Sequence, residues 1–200
     1  MTSLIEQVQQ QLDSNTLAQL SRQLGVDEQT TRQAVPAAVT ALVGGLGSNA
    51  ARPEGAQQIA SALDRDHDGS ILDDLGGFLG QGGAGGIGGA ILGHVLGGRQ
   101  RQVETGLSQS TGLDAAKIAQ LLALLAPIVM AVLGRRKREQ GIDAGGLGDI
   151  LRGEHQNARR HAEQAGIGGV LGGLLDRDGD GGFLDDLAGM AGGLLGGGKK

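Results

Sequence analysis

Residues 62–77 read "ALDRDHDGSILDDLGG", and residues 174–189 repeat them as "LLDRDGDGGFLDDLAG". The first copy places Asp64, Asp66, Asp68, Asp73 and Asp74 within eleven positions, with Arg65 as the one cation among them. So many like charges need either water or a counter-charge. A calcium loop needs hard oxygen ligands at alternating positions, because a chain that winds round the ion presents every second side chain to it. Asp64, Asp66 and Asp68 fit positions 1, 3 and 5, Gly69 supplies the sharp turn at 6, and Ser70 offers its backbone carbonyl at 7. Asp176, Asp178, Asp180, Gly181 and the carbonyl of Gly182 repeat the scheme. Position 4 varies between His67 and Gly179, as a side chain facing outward would allow.

The two stretches resemble the EF-hand-like "DxDxDG" calcium loops, with a departure at the end. Position 12, where a bidentate acid belongs, is Leu75 or Leu187, and the acids stand at 10 and 11 as Asp73 with Asp74 and Asp185 with Asp186. A shortened loop closed by one of these acids is the expected arrangement, with calcium as a structural or regulatory ion. The competing reading is a solvated turn, in which Asp64, Asp66 and Asp68 make Asx-turns and Asp73 and Asp74 cap a helix starting near Leu72. Magnesium fits less well, since it gives up water reluctantly and is usually held by one or two carboxylates.

The elements that must position these loops are helical. "SLIEQVQQQL" has apolar residues at 4, 5, 8 and 12, and "NTLAQLSRQLG" at 17, 20 and 24 before Gly25 stops it. Asp27 caps a longer helix that contains Pro36 and is kinked or loosened there, and Pro53 opens a fourth that runs into the first aspartate loop. Residues 76–98 are glycine-rich. They read either as a flexible connector or as a helix whose Gly85, Gly89, Gly93 and Gly97 permit close packing.

After Gly98 the order begins again, with Gly25 falling on Gly112, Asp27 on Asp114 and Gly47 on Gly134. An internal duplication is the economical account. It divides the chain into a helical repeat at 1–75 ending in the first loop, a Gly-rich connector or helix at 76–98, a second repeat at 99–153, and a C-terminal helix with the second loop and Gly-rich tail at 154–200. Within the insertion before the second loop, one short helix is expected around 149–151 and another near 154–164. The fold class is therefore all-α and multihelical, two related halves joined by a Gly-rich segment.

Forty glycines, no Trp or Tyr, and only Phe78 and Phe183 as aromatics leave the packing to small aliphatic side chains. The net charge of -5 argues against nucleic acid as the main partner, because that affinity comes from clustered Lys and Arg. "LAQLSRQLGVDEQTTRQAV" has the outline of a helix-turn-helix, but its second helix opens with Asp27 and Glu28. The absence of cysteine removes disulfides, thiolate metal sites and cysteine nucleophiles. "LLALLAPIVMAVLG", residues 121–134, is shorter than the roughly 18–20 residues of a spanning helix and reads as a buried core helix. The basic run Arg135, Arg136, Lys137, Arg138 then sits at its C-terminus, where the helix dipole favours cations. His155 and His161, six apart, do not share a helix face and read as solvated. No nucleophile elbow, Walker loop or dinucleotide fingerprint is present.

"LGVD", "PAAVTALVGGLGSNA", "PEGAQQIASALDRDHDGSILDDLGGFLG", "ILGHVLGGRQ", "LAPIVMAVLGRRKREQG" and "GGLGDILRGE" together resemble the bacterial domain-of-unknown-function family 937 over most of residues 15–155. The resemblance implies an all-helical bacterial protein with no established activity. The expectation is a non-enzymatic calcium-binding helical protein with a partner surface for another protein or a second copy. The alternative is a membrane-associated or self-assembling structural protein using the Gly-spaced helices. "MTSLIEQVQQQLDS" lacks a basic and apolar leader, so the expected compartment is the cytoplasm, export without an N-terminal signal being the other reading.

Overall fold

The computed structural model describes residues 2–80 and 84–164, and these residues contain helices and no strand. In order they are α1 Leu4–Gln11, α2 Ser14–Leu24, α3 Glu28–Ala50, α4 Pro53–Asp66, a 3-10 helix Ser70–Asp74, α5 Leu75–Gly80, α6 Ala84–Val95, a 3-10 turn Gly97–Arg99, α7 Gln100–Thr111, α8 Ala115–Gln140 and α9 Ala144–Gln164. The starts follow from local chemistry. Ser3 and Glu6 form a reciprocal capping box on α1, and Asp13, Asp27 and Asp114 accept the backbone N–H of Thr16, Thr30 and Lys117 at 2.8, 2.8 and 2.9 Å. Pro53 stands in the first turn of α4, where its missing N–H costs nothing. Gly25 and Gly112 close α2 and α7 in the left-handed region, with φ of 63° and 75°.

The core is built around α3 and α8. Both are apolar on nearly every side and are therefore enclosed, α3 by α1, α2, α4, α7 and α9, and α8 by α1, α2, α4, α6 and α7. Pro36 lies inside α3 without ending it. The apolar run at 121–134 is the middle of a 26-residue helix, longer than the sequence pattern marked out. That helix is long and apolar enough to cross a membrane by length and composition, and 72% of its apolar window is buried here.

With so few aromatics, the helices pack by bringing backbones together. A Cβ on Gly88 of α6 would collide with the carbonyl of Ala123 in α8, and one on Gly134 with the carbonyl of His67. Residues 84–95 are thus a helix rather than a connector, but its packing face differs from the stripe expected from the sequence. Gly88 shares the buried side with Ile91, Leu92 and Val95, whereas Gly89 and Gly93 meet open space, as does Gly97 beyond the helix end. The aliphatic residues decide which side goes inward, because burying them removes more apolar surface from water.

The insertion after α8 folds as one helix, α9, rather than two short ones. Asp143 accepts the N–H of Gly146 at 2.8 Å to start it, and burial of Leu147, Leu151, Ala158 and Ala162 sustains it across its glycines. The boundary drawn between 153 and 154 falls inside this helix. His155 is not a solvated residue: its Nδ1 lies 3.1 Å from the carbonyl of Gly44, and its Cβ would be 2.6 Å from a Cβ placed on Gly47. The second aspartate loop, with Asp176, Asp178, Asp180, Gly182, Asp185 and Asp186, lies outside the described residues.

Candidate functional site: the aspartate loop against the basic end of α8

Helix α4 continues through Asp66, which sets the directions of the first two acids. Residues two apart on a helix point about 200° away from each other. Asp64 therefore faces α8, where its Oδ1 accepts from Lys137 Nζ at 2.6 Å, while Asp66 is exposed on the other side beside Arg65 and His67. The chain leaves the helix at His67. Its ring is half-buried, and desolvation pushes its pKa below the ordinary 6.5, opposed by the charge of Asp66.

Asp68 then makes an Asx-turn, Oδ1 accepting the N–H of Ser70 at 3.0 Å, and Oδ2 lies 3.4 Å from Arg138 Nη1. The Ser70 N–H is the first cause that holds this carboxyl below its ordinary 3.8, with Arg138 adding to it. Gly69 turns the chain with φ of 93° and lies flat on α8, where a Cβ would come within 2.9 Å of Arg135 Cβ. The Gly69 carbonyl accepts from Arg135 Nη2 at 3.0 Å, and the same nitrogen pairs with Asp73 Oδ1 at 2.6 Å. Asp74 accepts the N–H of Gly77 at 2.8 Å and caps α5.

Three of the five acids are thus answered by one stretch of α8, through Arg135, Lys137 and Arg138. Sequence reasoning assigned those cations to the helix dipole and missed the pairing, because the partners are 62 to 73 positions apart. The near balance of a basic run and an acidic loop was the signal that could have suggested it. Arg136 points elsewhere, into the core, where its Nη1 donates to Glu154 Oε1 at 3.0 Å with both side chains over nine-tenths buried. The same oxygen accepts the N–H of Leu4 at 2.9 Å, so α1, α8 and α9 meet on one carboxylate.

The oxygen donors of a calcium loop are present, but in this arrangement they diverge. Among the described residues no group of three or more His, Cys, Asp or Glu side chains is placed to hold a metal ion. Convergence of Asp64, Asp66 and Asp68 with the Ser70 carbonyl, Asp73 and Asp74 would require the last turn of α4 to unwind and the α8 cations to withdraw.

The pH dependence of this site has a definite sign. His67 favours its neutral form in the fold, so its contribution is complete above 6.5 and is lost as pH falls toward its lowered folded value. Asp68 favours its charged form, so its contribution is present above 3.8 and is lost as pH falls through its lowered folded value. The melting temperature is expected to be level above neutrality and to drop in two stages on acidification. His67→Gln should remove the first stage, and an unchanged profile in that variant would refute the assignment.

Searches of curated proteins and of solved structures return no match. A family match runs from within α1 into the basic run of α8, covering the first aspartate loop and Arg135 but ending before Lys137, Arg138 and α9. Over residues 6–136 the chain matches the family described as "Bacterial protein of unknown function (DUF937)", and it belongs to that family.

Proposed function

We propose that this chain is a non-enzymatic, cytoplasmic helical binding protein in which the loop at 64–74 is a charge latch, held by α8 cations and responsive to calcium as a structural or regulatory ion. The observation that supports it is the answering of Asp64, Asp68 and Asp73 by Lys137, Arg138 and Arg135, in a loop whose Gly69 already makes the turn that position 6 of a calcium loop demands. Calcium would compete with those side chains for the same carboxylates and free the basic end of α8 for a protein partner. The second loop would offer Asp176, Asp178, Asp180, the Gly182 carbonyl, Asp185 and Asp186 without a fixed assignment of its cations.

The two-halves reading belongs to this proposal. It is supported by the left-handed Gly25 and Gly112, the capping Asp27 and Asp114, and the close approach of another segment's carbonyl to both Gly47 and Gly134. A second reading, a self-assembling structural protein with the loops as solvated turns, is favoured by the uncharged outward side of α6.

Calorimetric titration of calcium into chelator-stripped full-length protein tests the first reading. Saturable binding is expected, reduced in Asp64→Ala and in Asp176→Ala, with a melting temperature that changes on adding calcium. Heat-silent titration at millimolar calcium, with both variants folded, would leave the latch closed by the protein's own cations alone.

A further inference from the structure

Beside the latch, α4 and α6 form the walls of an open groove of about 1100 Å³. Its floor is apolar, with Leu46, Ile59, Ile91, Val95 and Met130. On its rim stands Ile87, 53% exposed, the large hydrophobic side chain left outside among the described residues. The outward side of α6 continues from it through Gly89, Ala90 and Gly93, with no charged residue from 84 to 98. Nothing lies within 4 Å of a Cβ built on Gly86, Gly89 or Gly93, so another backbone can approach closely.

The charges on the α4 wall identify the occupant. Arg52 and Glu54 stand at its start and Arg65 and Asp66 at its end, all exposed and all lining the groove. These pairs are separated by about 20 Å of helix. A single-sign surface such as nucleic acid or an anionic membrane would meet as much repulsion as attraction here. A two-fold related copy lying antiparallel would instead set Arg52 against the other copy's Asp66 and Glu54 against its Arg65, twice over. Such an isologous contact needs one self-complementary patch, which this is.

Resting on the self-assembly reading above, we infer that the α4–α6 groove is a homodimer surface, in which Ile87 of each copy enters the groove of the other. The face is about 20 Å long and 20 Å wide, two helices side by side, or about 400 Å². That is about half of what a standard interface uses per partner, so the association is weak, in the micromolar range.

The absence of cysteine makes the test clean, because an introduced thiol is unique. Full-length protein should shift from monomer to dimer by sedimentation between about 1 and 300 µM. Ile87→Glu and Ala90→Arg should each weaken the association by about ten-fold or more, with unchanged helical content. Ala90→Cys should form a disulfide-linked dimer under mild oxidation, and Gln102→Cys, exposed on α7, should not. A monomer throughout that range overturns the inference, whether the Ala90→Cys thiol then reacts freely with maleimide or is shielded by the chain's own residues 165–175. A dimer indifferent to Ile87→Glu and Ala90→Arg also overturns it. All of these measurements are made on chelator-stripped protein, in which α4 keeps its last turn through Asp66, so their outcome is separate from that of the calcium titration.

Discussion

Replacing Glu154 by alanine is expected to cost the fold about 3–5 kcal/mol, the usual result of breaking a buried ion pair from one side. The variant strands Arg136, 7% exposed, and removes the acceptor of the Leu4 N–H at the start of α1. Against a total stability on the order of 5–15 kcal/mol, this loss lowers the urea midpoint severely. A double change, Arg136→Met with Glu154→Leu, should recover most of it, because a well-packed apolar pair replaces a desolvated charge pair at little cost. The residual loss is about 1 kcal/mol for the Leu4 hydrogen bond. Urea denaturation of both single variants and the double variant measures the coupling directly. A cost below about 1 kcal/mol for Glu154→Ala would mean that the carboxylate does not tie α1, α8 and α9 together.

Gly134→Ala should destabilise by about 2 kcal/mol or more, although alanine is the better helix former by about 1 kcal/mol. The new methyl meets a backbone carbonyl, that of His67, and a backbone cannot rotate out of the way as a side chain can. To make room the end of α4 must lift off α8, carrying Asp64 and Asp68 away from Lys137 and Arg138. Gly153→Ala in α9 has the same chemistry with nothing within 4 Å of the new carbon, and should stabilise by up to about 1 kcal/mol. Thermal melts of the two variants should therefore move in opposite directions. Equal shifts would show that helix propensity, not the α4–α8 approach, governs position 134.

Much of the local architecture is legible in the sequence, because it is built from groups a few residues apart. The stripe at Leu4, Ile5, Val8, the cap at Asp27, the stop at Gly25 and the opening at Pro53 all lie in the structure where the pattern places them. Within the aspartate loop, the turn at Gly69, the Asx-turn of Asp68 and the capping role of Asp74 are of the same local kind. The depth of α8 in the core follows from its composition, since a helix apolar all round has to be enclosed.

What the tertiary structure alone decided concerns residues far apart in the chain. The extension of α4 through Asp66 sends Asp64 and Asp66 to opposite sides, where an alternating loop would have gathered them. The cations of α8 meet the acids only because Gly134 and Gly69 let the two segments touch. Glu154 joins Leu4 across 150 positions, a pairing to which neither neighbourhood offers a clue. Helix caps and stripes arise from interactions within about four residues, so each is written where it acts. Ion pairs and backbone contacts between helices depend on how whole elements cross, and that is settled by the packing of the entire core.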